Sequence, residues 1–81
     1  MQQSEIYSAL TDVFRDVFEN DSMELAPAVN PSQLQGWDSS RYVTLIVATE
    51  SRFGIKFRPA ELESLRTVDD FVQRIGGKLK N

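Results

Sequence analysis

The chain of 81 residues contains no cysteine and no histidine. The first absence excludes disulfides and thiolate chemistry, the second removes the commonest general base, and together they exclude most transition-metal sites. Any thiol the protein uses must be added to it. No apolar run is long enough to span a membrane, and Met1-Gln2-Gln3-Ser4-Glu5 lacks the basic and apolar regions of a signal peptide. The expected location is the cytoplasm. Basic residues are outnumbered nine to twelve, a net charge of -3, which argues against a nucleic-acid role that rests on phosphate neutralisation. No glycine-rich phosphate loop occurs, because Gly76-Gly77 follows a helical stretch rather than opening one. The acidic pairs Asp69-Asp70 and Glu61/Glu63 stand at helix starts, where they complement the dipole, and no metal site is expected.

What is present describes an ordinary folded domain, with 41% hydrophobic and 26% charged residues. A chain of this length forms one domain, residues 1–81, and buries roughly 60% of its unfolded surface, which leaves no room for an enzyme-sized cleft. Its charge is uneven. Residues 1–38 hold seven acids and one base, while the remainder holds five acids and eight bases.

Ile6, Leu10, Val13, Phe14 and Val17 recur at helical spacing, which predicts an amphipathic helix from about Ser4 to Phe18 with Ser4 as its cap. Residues 19–37 then form a long connection interrupted by Pro27 and Pro31. Structureless loops of that length are uncommon in compact domains, so Met23, Leu25, Val29, Leu34 and Trp37 are expected to pin it to the core. Trp37 reads as a packing anchor.

A second helix is predicted from Ser39 to Phe53, ended by Gly54. Stepping by about 100° per residue, Leu45, Ile46, Thr49, Phe53 and Tyr42 share the core-facing arc, and Val43 and Val47 fall outside it beside Ser40, Glu50 and Ser51. Pro59 suits the first position of a short third helix with Leu62 and Leu65 facing inward. Thr67-Val68-Asp69-Asp70 resembles a capping box, and behind it Val68, Phe71, Val72, Ile75 and Leu79 keep helical spacing until Gly76-Gly77 weakens the end. The expected fold is all-α, a four-helix bundle of three main helices and one short one, with a long first loop.

The chemistry concentrates where that loop meets the second helix. Asp38 can accept from the free N–H groups of the first turn as N-cap, and Ser39 then lies near the positive end of the helix dipole, where a phosphate is favoured. A catalytic role for Ser39 would need an activating base, and Lys56, Lys78 and Lys80 have no motif placing them nearby. An enzyme is not expected.

The run Gly36-Trp37-Asp38-Ser39, followed by Val43, Leu45, Ile46, Glu50 and Phe53-Gly54-Ile55, resembles the acyl carrier protein family, whose Asp-Ser-Leu motif opens the second helix. Leu34 stands at the position of that family's loop leucine, and Leu65-Arg66-Thr67-Val68 resembles the approach to its last helix. The resemblance implies that phosphopantetheine is attached to Ser39, beside the cap Asp38, by a phosphopantetheinyl transferase. It also implies that the arm carries acyl or aminoacyl groups as thioesters, loaded by a ligase and passed to acyl-transfer enzymes of fatty acid, polyketide or related biosynthesis. Ser40, where the family usually has leucine, together with Val43, Val47 and the one acid of the second helix, Glu50, would meet those partners. The carrier would act as a monomer. A different reading of the same residues remains open: an unmodified helical interaction module, in which Asp38 only caps the helix.

Overall fold

In the computed structural model, which describes residues 2–79, four α-helices follow the hydrophobic spacing of the sequence. They are α1 (Gln3–Val17), α2 (Ser39–Phe53), α3 (Pro59–Leu62) and α4 (Val68–Leu79), with a short 3-10 turn at Pro31–Gln33 in the first connection. Lys80 lies outside the described residues. Among the described residues there is no strand, and no helix is long and apolar enough to cross a membrane.

The periodic apolar stripe of α1 buries Ile6, Leu10, Val13 and Phe14, and this face packs against both α2 and α4. Phe14 sits at the centre. It stacks on Phe18 at 5.9 Å between ring centroids and meets Phe71 of α4 edge-on at 6.0 Å, a geometry aromatic quadrupoles favour. Ser4 does not cap α1. The helix begins one residue earlier than predicted, with Gln2 as N-cap and its N–H donating to Glu5 Oε1 at 3.0 Å, so the carboxylate three residues on supplies the acceptor.

The long connection is pinned as its apolar residues suggest, with Met23 buried and Leu25, Val29, Leu34 and Trp37 packed against the core. Polar contacts fasten it as well. Arg15 Nε donates to the Met23 carbonyl at 2.7 Å, and the Tyr7 hydroxyl donates to the Leu25 carbonyl. The Val29 and Pro27 carbonyls accept from the N–H groups of Val68 and Asp69 at 2.9 and 3.0 Å, so the loop satisfies donors that the start of α4 leaves without intrahelical partners. Thr67 and Asp70 form the expected reciprocal box: Thr67 N–H donates to Asp70 Oδ2 at 3.1 Å and Asp70 N–H to Thr67 Oγ1 at 3.2 Å. These bonds, led by one from the Arg66 N–H, hold the Asp70 carboxyl below its usual range.

Three expectations for the C-terminal half are revised. Helix α3 is only four residues long, so Leu65 is buried from the turn after it and not from the helix itself. Glu61 does more than complement a dipole. Its carboxylate accepts from Lys78 Nζ at 2.7 Å and from the Arg58 N–H at 2.7 Å, with Arg74 Nη1 at 3.6 Å, which ties α3 to α4. The Lys78 bond is the main reason that Glu61 is held below the usual carboxylate range.

Helix α4 also runs through Gly76-Gly77 to Leu79 instead of fraying there. A Cβ added at Gly76 would meet Ile6 Cδ1 at 3.5 Å, an ordinary packing distance. Because glycine in a helix interior costs roughly 0.5–1 kcal/mol relative to alanine, Gly76→Ala is expected to stabilise the fold by about that amount. An unchanged or lowered urea midpoint would contradict this.

Candidate functional site

The start of α2 is built by one residue. Asp38 is extended (φ -158°, ψ 173°), its Oδ1 accepts from the Arg41 N–H at 2.7 Å, and its carbonyl accepts from the Tyr42 N–H at 3.0 Å. This is the predicted cap. Ser39 therefore takes the first helical position and Ser40 the second, and both side chains are exposed. The N–H groups of a helix's first turn carry partial positive charge without intrahelical partners, so the Ser39 hydroxyl sits where a phosphate ester is electrostatically favoured.

The loop side of the site is fixed by packing. Gly36 adopts φ 91°, a left-handed conformation open to glycine at no steric cost, and a side-chain carbon there would meet Phe18. Trp37 meets Tyr42 edge-on at 5.1 Å, which joins the residue two before Ser39 to the residue three after it. Both rings are half-buried, and burial pushes the Tyr42 phenol above its usual range. The anchoring role read for Trp37 matches this arrangement.

Beyond Ser39, α2 carries Val43 and Val47 on one flank, 60% and 57% exposed. Ser39, Ser40, Val43 and Val47 fall within an arc of roughly 100° on the helix, so the structure gathers them along a single exposed stripe. Glu50 behaves differently. It is half-buried, and its Oε2 accepts from the Phe57 N–H at 2.7 Å, so this carboxylate is turned to the α2–α3 connection and pins it. Clefts open on the surface between α3 and α4 around Glu61 and between α1 and α2 around Asp16, and Ser39 lines neither of these.

Arg41 and Arg52 are the two bases of α2, against the single acid Glu50. The Arg41 guanidinium leaves the surface of that helix, with Nη1 donating to the Val17 carbonyl at 2.9 Å. A cation in a helix's first turn opposes the dipole unless its side chain reaches elsewhere, and that misfit is the signal the sequence offered. The partner, 24 residues away, is visible only in the fold.

The carboxylate next to Ser39, that of Asp38, is engaged as the helix cap by the Arg41 N–H, and Lys78 is committed to Glu61. An exposed hydroxyl at a capped N-terminus fits a phosphodiester-linked arm and can receive one from another enzyme.

Comparison with known proteins agrees with that fit. A family profile described as "Phosphopantetheine attachment site" matches residues 8–75. The acyl carrier protein of Thermosynechococcus vestitus is 32% identical over 79 residues, covering 98% of each chain. That of Thermotoga maritima is 31% identical over 77 residues, covering 95% of each. The solution structure of holo acyl carrier protein from Geobacter metallireducens superposes with a TM-score of 0.86 at 36% identity, over 93% of this chain and 86% of that one. These relatives are carriers and not catalysts, and with that match over nearly its whole length the chain belongs to the acyl carrier protein family.

Proposed function

We propose that Ser39 is the residue to which a phosphopantetheinyl transferase attaches the arm, and that the chain carries acyl or aminoacyl groups on it as thioesters. The observation that carries this reading is the exposed Ser39 hydroxyl at the first position of a helix capped by Asp38. The arm supplies the thiol that the cysteine-free chain lacks. The protein's own contribution is to tether the intermediate and present it, which raises its effective concentration for successive enzymes, up to about millimolar for short flexible linkers. Incubation with a phosphopantetheinyl transferase and coenzyme A, followed by intact mass, tests the proposal. A single added arm supports it, and an unchanged mass favours the unmodified interaction module.

The cargo is held outside the bundle rather than folded into it. In support of this, Phe14, Leu45, Val68 and Phe71 are wholly buried, and Thr49 fills the core face of α2 with its hydroxyl bonded to the Leu45 carbonyl at 2.7 Å.

Partner enzymes read the stripe around Ser39. At Ser40 the family's usual leucine is missing, and burying a leucine side chain is worth roughly 1.5–3 kcal/mol. Ser40→Leu is therefore expected to raise the efficiency of modification by a generic transferase. Unchanged or lower kcat/KM would mean that serine is neutral there or matched to a dedicated partner.

The charge of the stripe is also low. Arg41 and Glu50 are engaged within the fold, so docking rests on Val43 and Val47 more than on charge. Association with a partner is expected to depend only weakly on ionic strength and to weaken in Val43→Ala and Val47→Ala. A steep fall of the association rate with salt, insensitive to both substitutions, would contradict this.

A further inference from the structure

Arg41 stands two residues beyond Ser39, in the one turn of α2 where a cation is disfavoured by the helix dipole. Its side chain crosses to the end of α1. Nη1 donates to the Val17 carbonyl at 2.9 Å, and the guanidinium carbon lies 5.8 Å from the centre of the Phe18 ring. Val17 is the last residue of α1, so its carbonyl has no intrahelical partner and lies at the negative end of that helix's dipole. The cation gains at the end of α1 what it would lose at the start of α2.

Phe18 makes this contact a fixed one. The ring is buried and stacked on Phe14, the central residue of the core. A side-chain carbon at Gly36 would lie 3.9 Å from Phe18 Cδ2. The backbone at Gly36, before Ser39, thus passes close to Phe18, and Arg41, after Ser39, makes the contact that holds the segment to that ring and to the end of α1. The Arg41 backbone N–H is also the donor that Asp38 accepts, so this residue joins the cap, the first turn and the neighbouring helix.

We infer that Arg41 is a positioning residue for the attachment hydroxyl, locking the first turn of α2, and Ser39 with it, to the C-terminal end of α1. The inference rests on the assignment of the arm to Ser39. Helix ends fray, and Ser39 stands at one, after a connection of about 20 residues. An enzyme that must find one hydroxyl in one orientation loses efficiency when the turn bearing it has to be ordered on docking. The clasp performs that ordering in advance. It lies at the rim of the core, so its loss loosens the turn without dissolving the bundle.

The full unmodified chain provides the test. Arg41→Met keeps an unbranched apolar stem and removes the donors, while Arg41→Lys keeps a cation for the Val17 carbonyl and the Phe18 ring. Amide exchange is followed at residue 41 and at Tyr42, whose N–H groups both bond to Asp38, and at Phe71 as a core reference. In Arg41→Met, exchange at residue 41 and Tyr42 is expected to accelerate about tenfold with Phe71 nearly unchanged. The kcat/KM for modification by a phosphopantetheinyl transferase should fall about tenfold, in line with loss of a charged hydrogen bond, and Arg41→Lys should restore part of both.

Unchanged exchange at the two reporter amides, acceleration by the same factor at Phe71, or loosened amides with undiminished kcat/KM would each overturn the positioning role. Peptide mapping of the modified natural chain keeps the two assignments apart. An arm on another residue overturns the Ser39 assignment, whereas an arm on Ser39 with normal exchange and efficiency in Arg41→Met overturns the positioning role alone.

Discussion

Phe71→Ala is expected to destabilise the chain by about 3–5 kcal/mol, the usual cost of deleting a buried phenyl ring with the cavity it leaves. Phe71 is wholly buried and meets Phe14 edge-on, so the cavity would open where α1 and α4 pack. The whole domain has little to lose. At 0.05–0.15 kcal/mol per residue, the total stability is about 4–12 kcal/mol, so this one substitution removes a large fraction of it. Urea unfolding followed by the fluorescence of Trp37, the sole tryptophan, measures the effect. A loss below about 1 kcal/mol would mean that the centre of the bundle is not where the structure puts it.

The second large effect is all-or-none. Ser39→Ala is expected to abolish modification by a phosphopantetheinyl transferase, and Ser40→Ala to leave it intact. Both hydroxyls are exposed in the first turn of α2, so accessibility alone does not choose between them. The choice rests on register. Ser39 directly follows the cap Asp38 and precedes Val43 by four residues, the spacing of the family motif. Neither side chain packs in the core, so both variants should fold, and a thermal melt alongside each assay verifies it. Modification lost in Ser40→Ala but kept in Ser39→Ala would move the site by one residue.

The features legible in the sequence are those that physics settles locally. Asp38 caps α2, Gly54 takes the left-handed conformation that ends it (φ 66°), and Thr67 and Asp70 exchange bonds, because each involves residues within a few positions of one another. Apolar spacing was equally readable. It sends Leu45, Ile46, Thr49 and Phe53 inward and leaves Val43 and Val47 exposed. The cap of α1 was misplaced because several polar residues in a row can serve, and helix ends are uncertain by a residue or two on any pattern.

What stayed hidden depends on approach across the fold. Glu61 finds Lys78 17 residues away, and Arg41 finds Val17 24 residues back. The start of α4 finds its acceptors in the first loop, at Val29 and Pro27. Charge and composition near these residues point to no partner, since many surface cations and carboxylates never pair. Gly76-Gly77 illustrates the converse: helix propensity argues for an end, but Gly76 packs near Ile6 of α1 and the helix continues. The charge of the exposed stripe on α2 belongs with these cases, because Glu50 and Arg41 count as surface charges in the sequence and are engaged in the fold.

Locating the arm on the unsubstituted chain tests the attachment site most directly. After incubation with a phosphopantetheinyl transferase and coenzyme A, proteolysis and fragmentation of the peptide that spans Gly36 to Arg41 assign the phosphoester to a single residue. One arm per chain is expected, on Ser39. An arm on Ser40, an arm outside that peptide, or a chain that accepts none would contradict this.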